Sequence, residues 1–184
     1  MNKKIVIIIL IVIILAAGAF FIYNQNHNKG NGNETQMYNY VQNGVSFSYP
    51  EDWGVCKASS NYSVAAICLK DSIGSNKVAE VNILVEKHNF TGNFDDFVNK
   101  TYTSIDANES FNLTSFGVVR IGGNNATQVD YTSDINGSLK QHRAIWFEHG
   151  QDAYVVMYSA PKSEFDKHVQ VFEYLISTFK INAY

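Results

Sequence analysis

Proline and charged side chains are both scarce in this sequence. Only 2 of the 184 residues are Pro and 17% are charged, whereas Tyr (11) and Phe (12) are plentiful. Disordered chains show the opposite composition, rich in Pro and charge and poor in aromatic residues. The composition therefore favours strands around a packed aromatic core. Gly44–Tyr184 is long enough for one well-buried domain and too short for two ordinary ones.

Motifs that mark catalysis are also missing. The chain has no G-x-S-x-G elbow, no H-E-x-x-H pair and no Gly-rich phosphate loop. The paired carboxylates Glu51-Asp52 and Asp95-Asp96 are sequence neighbours, which is typical of a solvated turn and of a helix start. We therefore expect no catalytic residue, no metal site, no cofactor and no enzymatic activity.

The histidines do not form a convincing metal site. His142 and His149 lie at opposite ends of one predicted strand, and their odd separation places them on opposite faces of a regular strand. His27 has no ligand partner nearby, and His88 and His168 lie near element ends, where solvated histidines are ordinary.

Positive charge is too sparse for a nucleic-acid partner. The chain has a net charge of −3, and without Lys3 and Lys4 its 12 basic residues face 17 acidic ones. No basic stripe is present that would neutralise phosphates. We therefore expect no nucleic-acid binding.

The N-terminus contains the one long apolar run of the sequence. Ile5–Ile22 holds 18 residues without a charge, about 27 Å of helix, close to the roughly 30 Å core of a bilayer. Lys3 and Lys4 precede it, so residues 1–4 should stay in the cytoplasm and everything after Tyr23 should lie outside. We predict a transmembrane signal anchor over residues 5–23 and a single-pass protein of the cell membrane.

A cleaved signal peptide is the alternative. Ala17-Gly18-Ala19 has the form of a cleavage site, and cleavage after Ala19 would release a secreted protein. The apolar run continues through Phe20-Phe21-Ile22, which favours the anchor. Neither cysteine lies near the end of the run, which argues against a lipoprotein. Both readings place the domain outside the cell.

A polar segment follows the apolar run. Asn24–Asn33 reads NQNHNKGNGN and has no apolar side chain that would offset its ordering entropy. We predict a flexible stalk over residues 24–43 and a folded domain over residues 44–184.

N-x-[S/T] triplets are unusually frequent beyond the apolar run. Such an excess suggests a glycosylated surface protein, and the alternative is an Asn-rich genome that inflates the count. The eight predicted acceptors are Asn33, Asn61, Asn89, Asn99, Asn108, Asn112, Asn125 and Asn136.

Cys56 and Cys68 are the only cysteines. Thiols outside the cell tend to pair, and a predicted hairpin turning through Ser59–Asn61 would bring the two sulfurs together. We predict a disulfide; two buried thiols are the alternative, and a redox pair is disfavoured because the C-x-x-C spacing is absent.

The spacing of apolar residues divides the predicted domain into strands and helices. Two amphipathic helices are expected, one from Phe94 to Ile105 capped by Asn93 or Thr91, and one opened by a Ser163/Asp166 capping pair. Six to eight strands joined by hairpins make up the rest, with Asn136-Gly137 as a strong turn signal. The fold class is α+β, an antiparallel sheet with helices packed on its faces. The predicted strands include residues 44–49, 53–58, 63–70, 77–87, 113–121, 126–134, 138–148 and 153–160.

Aromatic residues on the predicted strands have two interpretations. Aromatic residues at alternate positions of a strand normally pack into the core, and this is the favoured interpretation. A ligand cleft would need Tyr131 or Trp146 to reach an exposed sheet face, and these two are the candidate ligand-facing aromatics.

Three stretches together resemble a known family. They are Gly44–Trp53 (GVSFSYPEDW), the strand pair Ala126–Tyr131 and Arg143–Glu148, and the ending Tyr154–Ile181. Their order is similar to that of the PsbP-like family, and in particular of its membrane-anchored archaeal and bacterial members. The resemblance implies an α/β/α sandwich. Relatives include an extrinsic subunit of the photosynthetic oxygen-evolving complex and a Ran-binding nuclear transport factor, so it implies an interaction module without fixing a partner.

Three functions follow from the sequence as hypotheses. The first is a non-enzymatic, membrane-tethered accessory module outside the cytoplasm that docks onto a surface or membrane protein. The second is a protein that binds a small molecule or an envelope polymer. A hydrolase is the weakest, because no nucleophile–base pair is apparent.

Overall fold

A computed structural model describes residues 35–58, 60–74, 79–106, 110–135 and 137–182. The predicted transmembrane segment, residues 5–23, and the first part of the predicted stalk lie outside these ranges. Within them, neither helix is long and apolar enough to cross a bilayer.

Most of the chain forms one antiparallel sheet of seven strands in the order β3-β4-β5-β9-β8-β7-β6. Hairpins join neighbours in sequence from β6 to β9, as the spacing of turn residues predicts. The strands are β3 (Trp53–Val55), β4 (Ser63–Leu69), β5 (Asn82–Asn89), β6 (Phe111–Ile121), β7 (Asn124–Ile135), β8 (Ser138–His149) and β9 (Asp152–Pro161).

A second, three-stranded sheet was not expected. Strands β1 (Met37–Gln42), β2 (Val45–Pro50) and β10 (Lys180–Ile181) pair antiparallel in the order β1-β2-β10. Strand β1 lies inside the predicted stalk, so the boundary at Gly44 is wrong and the folded domain already includes Met37. The physical reason is that Tyr40 is buried and stacks on Phe47 of β2, with 4.9 Å between ring centroids.

Two helices cover opposite faces of the large sheet. Helix α1 (Phe94–Asp106) and helix α2 (Phe165–Thr178) both present an apolar stripe to the sheet. Neighbouring residues of β9 point to opposite faces of the sheet and belong to two separate core clusters. Val155 packs with α1, whereas Val156 and Tyr158 pack with α2 and the small sheet. The predicted α+β class with antiparallel strands and two helices is confirmed.

The start of α2 differs from the prediction. The cap position is Glu164, and no side chain there accepts a helix N–H, so the expected Ser163/Asp166 capping pair does not form. The helix begins at Phe165, which leaves Ser163 too early in the chain to cap it. Phe165 is anchored instead by its carbonyl, which accepts a 2.9 Å hydrogen bond from the buried hydroxyl of Tyr158.

The turn between β6 and β7 sets the hydrogen-bond pattern of both strands. Gly122 and Gly123 have φ values of 57° and 85°, the positive pair that a two-residue type I′ turn requires and that glycine adopts without strain. In such a hairpin the closing pair, here Ile121 and Asn124, exchanges backbone hydrogen bonds.

Candidate functional site

Aromatic residues of helix α1 pack against the large sheet. Asn93 caps the helix by accepting a 3.0 Å hydrogen bond from the N–H of Asp96, as predicted. Phe94, Val98 and Tyr102 recur at helical spacing and are buried under the helix. The side of the large sheet that α1 covers is called the α1 face below.

Both predicted ligand-facing aromatics belong to the core of this face. Tyr131 is 7% exposed and Trp146 4%, so neither reaches an exposed sheet face. The indole N–H of Trp146 donates a 3.0 Å hydrogen bond to the hydroxyl of Tyr102. The hydroxyl of Tyr131 lies 3.1 Å from the sulfur of Met157. They pack under α1 because strand alternation places them on the same side as Val155.

Burial governs the ionisation of these phenols. It raises the pKa of Tyr102 to about 12, against a smaller lowering by the hydrogen bond from Trp146. Burial likewise raises the pKa of Tyr131. Both side chains are therefore neutral at physiological pH.

A row of three buried polar side chains crosses strands β7, β8 and β9 on the α1 face. His142 lies in the middle, with its Nε2 2.8 Å from the Oγ of Ser133 and its Nδ1 2.7 Å from the Oγ of Ser159. Cross-strand register aligns them, since His142 pairs with Ser159 and lies one diagonal step from Ser133. We call these three residues the Ser–His–Ser row.

The Ser–His–Ser row holds a neutral imidazole. Burial, and then the charge of Lys140, lower the pKa of His142 to about 4. In a neutral ring one nitrogen donates and the other accepts, so the two serines satisfy both. The row is therefore a fully bonded buried network that ties three strands in register.

The Ser–His–Ser row is not arranged for nucleophilic catalysis. Ser133 and Ser159 are 4% and 6% exposed, and His142 is 9% exposed. A serine nucleophile must meet its substrate, and its base is normally oriented by a third group. Here both ring nitrogens are occupied by serines and the hydroxyls are inside the protein. Sequence reasoning did not identify the row, because only the strand register brings the three residues together.

A smaller polar cluster lies on the α1 face at β5 and at the start of β4. The Nε2 of His88 lies 2.8 Å from a carboxylate oxygen of Glu86, and the exposed ring of Tyr62 stacks on His88 at 4.5 Å. Burial raises the pKa of Glu86, but hydrogen bonds with His88 and Ser60 outweigh it and the net pKa is lowered. Among the described residues, no three His, Cys, Asp or Glu side chains are grouped to hold a metal ion.

Strand β6 carries an exposed apolar strip beside helix α1. Phe116 is 40% exposed and Val118 49%, and cross-strand register places both on the α1 face, opposite Val129 and Thr127. The ring of Phe116 also meets the edge of Tyr102, with centroids 6.5 Å apart. We call Phe116 and Val118 the β6 strip. Large side chains exposed together in this way are characteristic of interaction surfaces.

Two clefts on the domain are open to solvent. The first, about 500 Å³, lies between the end of β4 and the start of α2 and includes the carboxylates Asp71, Glu80 and Glu164. The second, about 440 Å³, lies on the small sheet beside the end of α2. Neither cleft is lined by a residue of the Ser–His–Ser row or of the β6 strip.

The structure joins Cys56 and Cys68 in a disulfide, as predicted, with their Cα atoms 6.1 Å apart. The bridge lies at the β3 edge of the large sheet, because Cys56 follows β3 and Cys68 lies in β4. It therefore fastens the shortest strand of that sheet to its neighbour.

Five of the predicted glycosylation acceptors fall in the described ranges. All five side chains are exposed, which an acceptor requires: Asn61, Asn89, Asn99, Asn112 and Asn125. Asn33, Asn108 and Asn136 lie outside those ranges.

Comparison with protein families identifies one match. The family described as "PsbP-like protein" matches residues 5–181, nearly the whole chain. Among curated protein sequences, none matches the chain at a significant level.

Several solved structures share the fold at low identity. The cyanobacterial PsbP protein CyanoP of Synechocystis sp. PCC 6803 has a TM-score of 0.57 and 14% identity, over 83% of this chain and 95% of that one. LpqN of Mycobacterium tuberculosis, involved in cell envelope biogenesis, has a TM-score of 0.57 and 16% identity, over 82% and 93%. The Ran-binding protein Mog1p of Saccharomyces cerevisiae has a TM-score of 0.52 and 9% identity, over 79% and 96%.

A Bacteroides thetaiotaomicron protein matches only in part. Its TM-score is 0.55 at 16% identity, over 81% of this chain, and the chain spans about half of its length, 49%. At these identities the likeness establishes the fold and no more.

Proposed function

The chain belongs to the PsbP-like family, and on that premise we propose that it is a non-enzymatic accessory module, tethered to a membrane, that docks onto another protein outside the cytoplasm. The observation that carries the docking role is the β6 strip, in which two large apolar side chains are exposed side by side on one face of the sheet. An aromatic side chain such as Phe116 at the centre of a contact is a typical anchor of a protein interface.

Tethering and location rest on the N-terminal segment. The family match begins at residue 5 and so includes the apolar run over residues 5–22. Two lysines, Lys3 and Lys4, lie directly before that run, and Lys29 is the one lysine or arginine in residues 23–33, a bias that directs the domain outward. The structural relative LpqN is involved in cell envelope biogenesis, which agrees with a site of action at the cell surface.

A protein partner agrees with the wider fold. The structural relative Mog1p binds Ran, so this fold supports protein recognition in at least one case. The Ser–His–Ser row gives no support to a hydrolase, since Ser133 and Ser159 are buried and a serine nucleophile has to contact its substrate. We place the partner among the surface or membrane proteins of the same membrane.

The alternative function, binding of a small molecule or an envelope polymer, has one observation in its favour. The open cleft near α2, about 500 Å³, is within the size range of ligand sites. Ligand sites normally enclose most of the ligand, however, and this cleft is open to solvent. The docking role is therefore preferred.

The docking role is tested with the tagged full-length chain in its native membranes. Mild crosslinking, affinity purification and mass spectrometry should recover a stoichiometric partner of different sequence. Phe116→Asp should abolish recovery, because a carboxylate in an apolar contact is desolvated without compensation. Val41→Asp, at a 66% exposed valine of β1, is the matched control and should leave recovery unchanged.

Two results would argue against the docking role. In the first, the wild-type chain is purified without a partner. In the second, Phe116→Asp recovers the partner as well as Val41→Asp does. A partner that survives Phe116→Asp binds elsewhere, and the open clefts would then be the next surfaces to probe.

A further inference from the structure

The two edges of the seven-stranded sheet are unequal. Strand β3, at one edge, has 3 residues, whereas β6, at the other, has 11. Natural sheets usually protect an edge by shortening it or by placing charges on it. Strand β6 is long and its only charged residue is Arg120. In the described part of the chain no strand pairs with its outer side.

The turn at Gly122-Gly123 determines which backbone groups face outward. Ile121 and Asn124 form a hydrogen-bonded pair, and in an antiparallel ladder such pairs alternate with non-bonded ones. Counting back along β6, the N–H and C=O groups of Arg120, Val118 and Phe116 therefore point away from β7. Because no described strand pairs with these groups, the three residues present an outward-facing row of backbone donors and acceptors.

The side chains of the same three residues all lie on the α1 face. Register places Arg120 opposite Asn125, Val118 opposite Thr127 and Phe116 opposite Val129. The edge thus combines a regular hydrogen-bonding row with an apolar strip that ends in one positive charge. An added strand would be held by its backbone and selected by its side chains on this face.

We propose that the strand added at this edge is β6 of a second copy of the chain, running antiparallel with Val118 opposite Val118. The outward-facing residues Phe116, Val118 and Arg120 are spaced symmetrically about Val118. A two-fold axis at Val118 therefore matches every outward N–H with a C=O of the other copy.

Charge placement favours this register. With the axis at Val118, each Arg120 lies opposite Phe116 of the other copy, so the two positive charges do not face each other. A guanidinium beside an aromatic ring is a favourable contact. The resulting dimer has one continuous sheet and brings the two β6 strips side by side on its α1 face. This inference does not depend on the identity or existence of another partner.

Cysteine crosslinking of the full-length chain in membranes tests the pairing. The native cysteines are joined in a disulfide, so Val118→Cys adds the one free thiol. Directly opposed residues of a bonded antiparallel pair have Cα atoms about 5.5 Å apart, within disulfide range. Mild oxidation should convert Val118→Cys to a dimer that reductant reverses. Val41→Cys, an exposed valine on another edge strand, should remain monomeric.

Two differently tagged chains test the register. Phe116→Cys in one chain and Arg120→Cys in the other should crosslink when the two are produced together, because these positions face each other. Phe116→Cys produced alone should crosslink at least tenfold less, because its two copies lie on opposite sides of the axis. These substitutions are at exposed side chains and leave the β6–β7 ladder intact.

Several outcomes would overturn the proposal. Absence of a dimer with Val118→Cys excludes pairing at this edge, and equal crosslinking of Val41→Cys shows random collision. A disulfide from Val118→Cys to a different protein assigns the edge to that partner instead. Loss of dimer crosslinking would not affect the docking role, whose readout is recovery of another protein and its sensitivity to Phe116→Asp.

Discussion

The ring of Tyr131 lies flat on the imidazole of His142, with 4.5 Å between the ring centroids and 13° between the planes. Stacking covers one side of the imidazole while Ser133 and Ser159 occupy its two nitrogens. His142 is thus held as a neutral ring, and among the described residues no carboxylate contacts it to stabilise a charge.

Acid should destabilise the domain through His142. The unfolded chain takes up this proton below about pH 6.5, whereas the folded pKa is about 4. More protons are then bound in the unfolded state between these values, so stability falls as the pH is lowered from 6.5 to 4. The loss from this group should reach about 3 kcal/mol. Denaturant unfolding at a series of pH values measures it.

The variant His142→Gln separates this effect from general acid denaturation. It should lower stability at pH 7 because it cannot reproduce both hydrogen bonds, but its stability should change less between pH 6.5 and 4. His149→Gln, at an exposed histidine on the same strand, should keep the wild-type slope. Equal slopes for His142→Gln and wild type would show that His142 is not the titrating group.

The Tyr102–Trp146 hydrogen bond should contribute measurably to the attachment of α1. Tyr102→Phe leaves the buried indole N–H without its acceptor, which should lower the free energy of unfolding by roughly 1–3 kcal/mol. Tyr62→Phe removes a hydroxyl from a ring that is 60% exposed and serves as the control, with an expected change near zero. If the two variants unfold at the same denaturant concentration, the hydrogen bond makes no net contribution to the free energy of unfolding.

Removing the disulfide should destabilise the domain without altering its fold. The bridge closes a separation of 12 residues, for which loop entropy gives about 3 kcal/mol. A Cys56→Ser/Cys68→Ala double variant should lose this amount in thermal or denaturant unfolding. Reduced wild-type protein should match it. If wild-type protein purified without reductant reacts with alkylating reagent at two thiols, the pairing is wrong.

The exposed sequons should carry glycans in the native organism. Glycopeptide mass spectrometry of the native protein should detect occupancy at sites such as Asn61, Asn99 and Asn112. Asn99 lies on the solvent side of α1, so Asn99→Gln should change the mass by one glycan and leave unfolding unaffected. Unmodified asparagine at every sequon would instead support the reading that Asn-rich composition inflates the triplet count.

Local patterns predicted most of the large sheet and both helices. Alternation and turn residues are short-range signals, and Asn93 caps α1 where the sequence placed a cap. Strand β2 was predicted, but its place in a separate small sheet was not, because β10 has only 2 residues and lies far from β2 in sequence. A strand of two residues is too short to show the alternation of apolar and polar side chains by which strands are predicted.

The interior of the α1 face was harder to predict. Trp146 and Tyr131 were recognised as aromatic strand residues, but the sequence does not state which face α1 covers. The Ser–His–Ser row depends on the register of three strands, and a shift of one residue would send its members to opposite faces. The edge position of β6 is likewise a property of strand order, which no local pattern encodes.

Pairing of β2 with β10 has a consequence for the order of events in synthesis. Ile181 lies opposite Val45, and the N–H of Asn182 donates a 2.9 Å hydrogen bond to the carbonyl of Gly44. Val45 and Phe47 belong to the same core cluster as helix α2, which begins only at Phe165. The first strands of the domain must therefore wait, with apolar side chains uncovered, until Ile181 has been synthesised. Such long-range closure slows folding and lengthens the time during which a chaperone is useful.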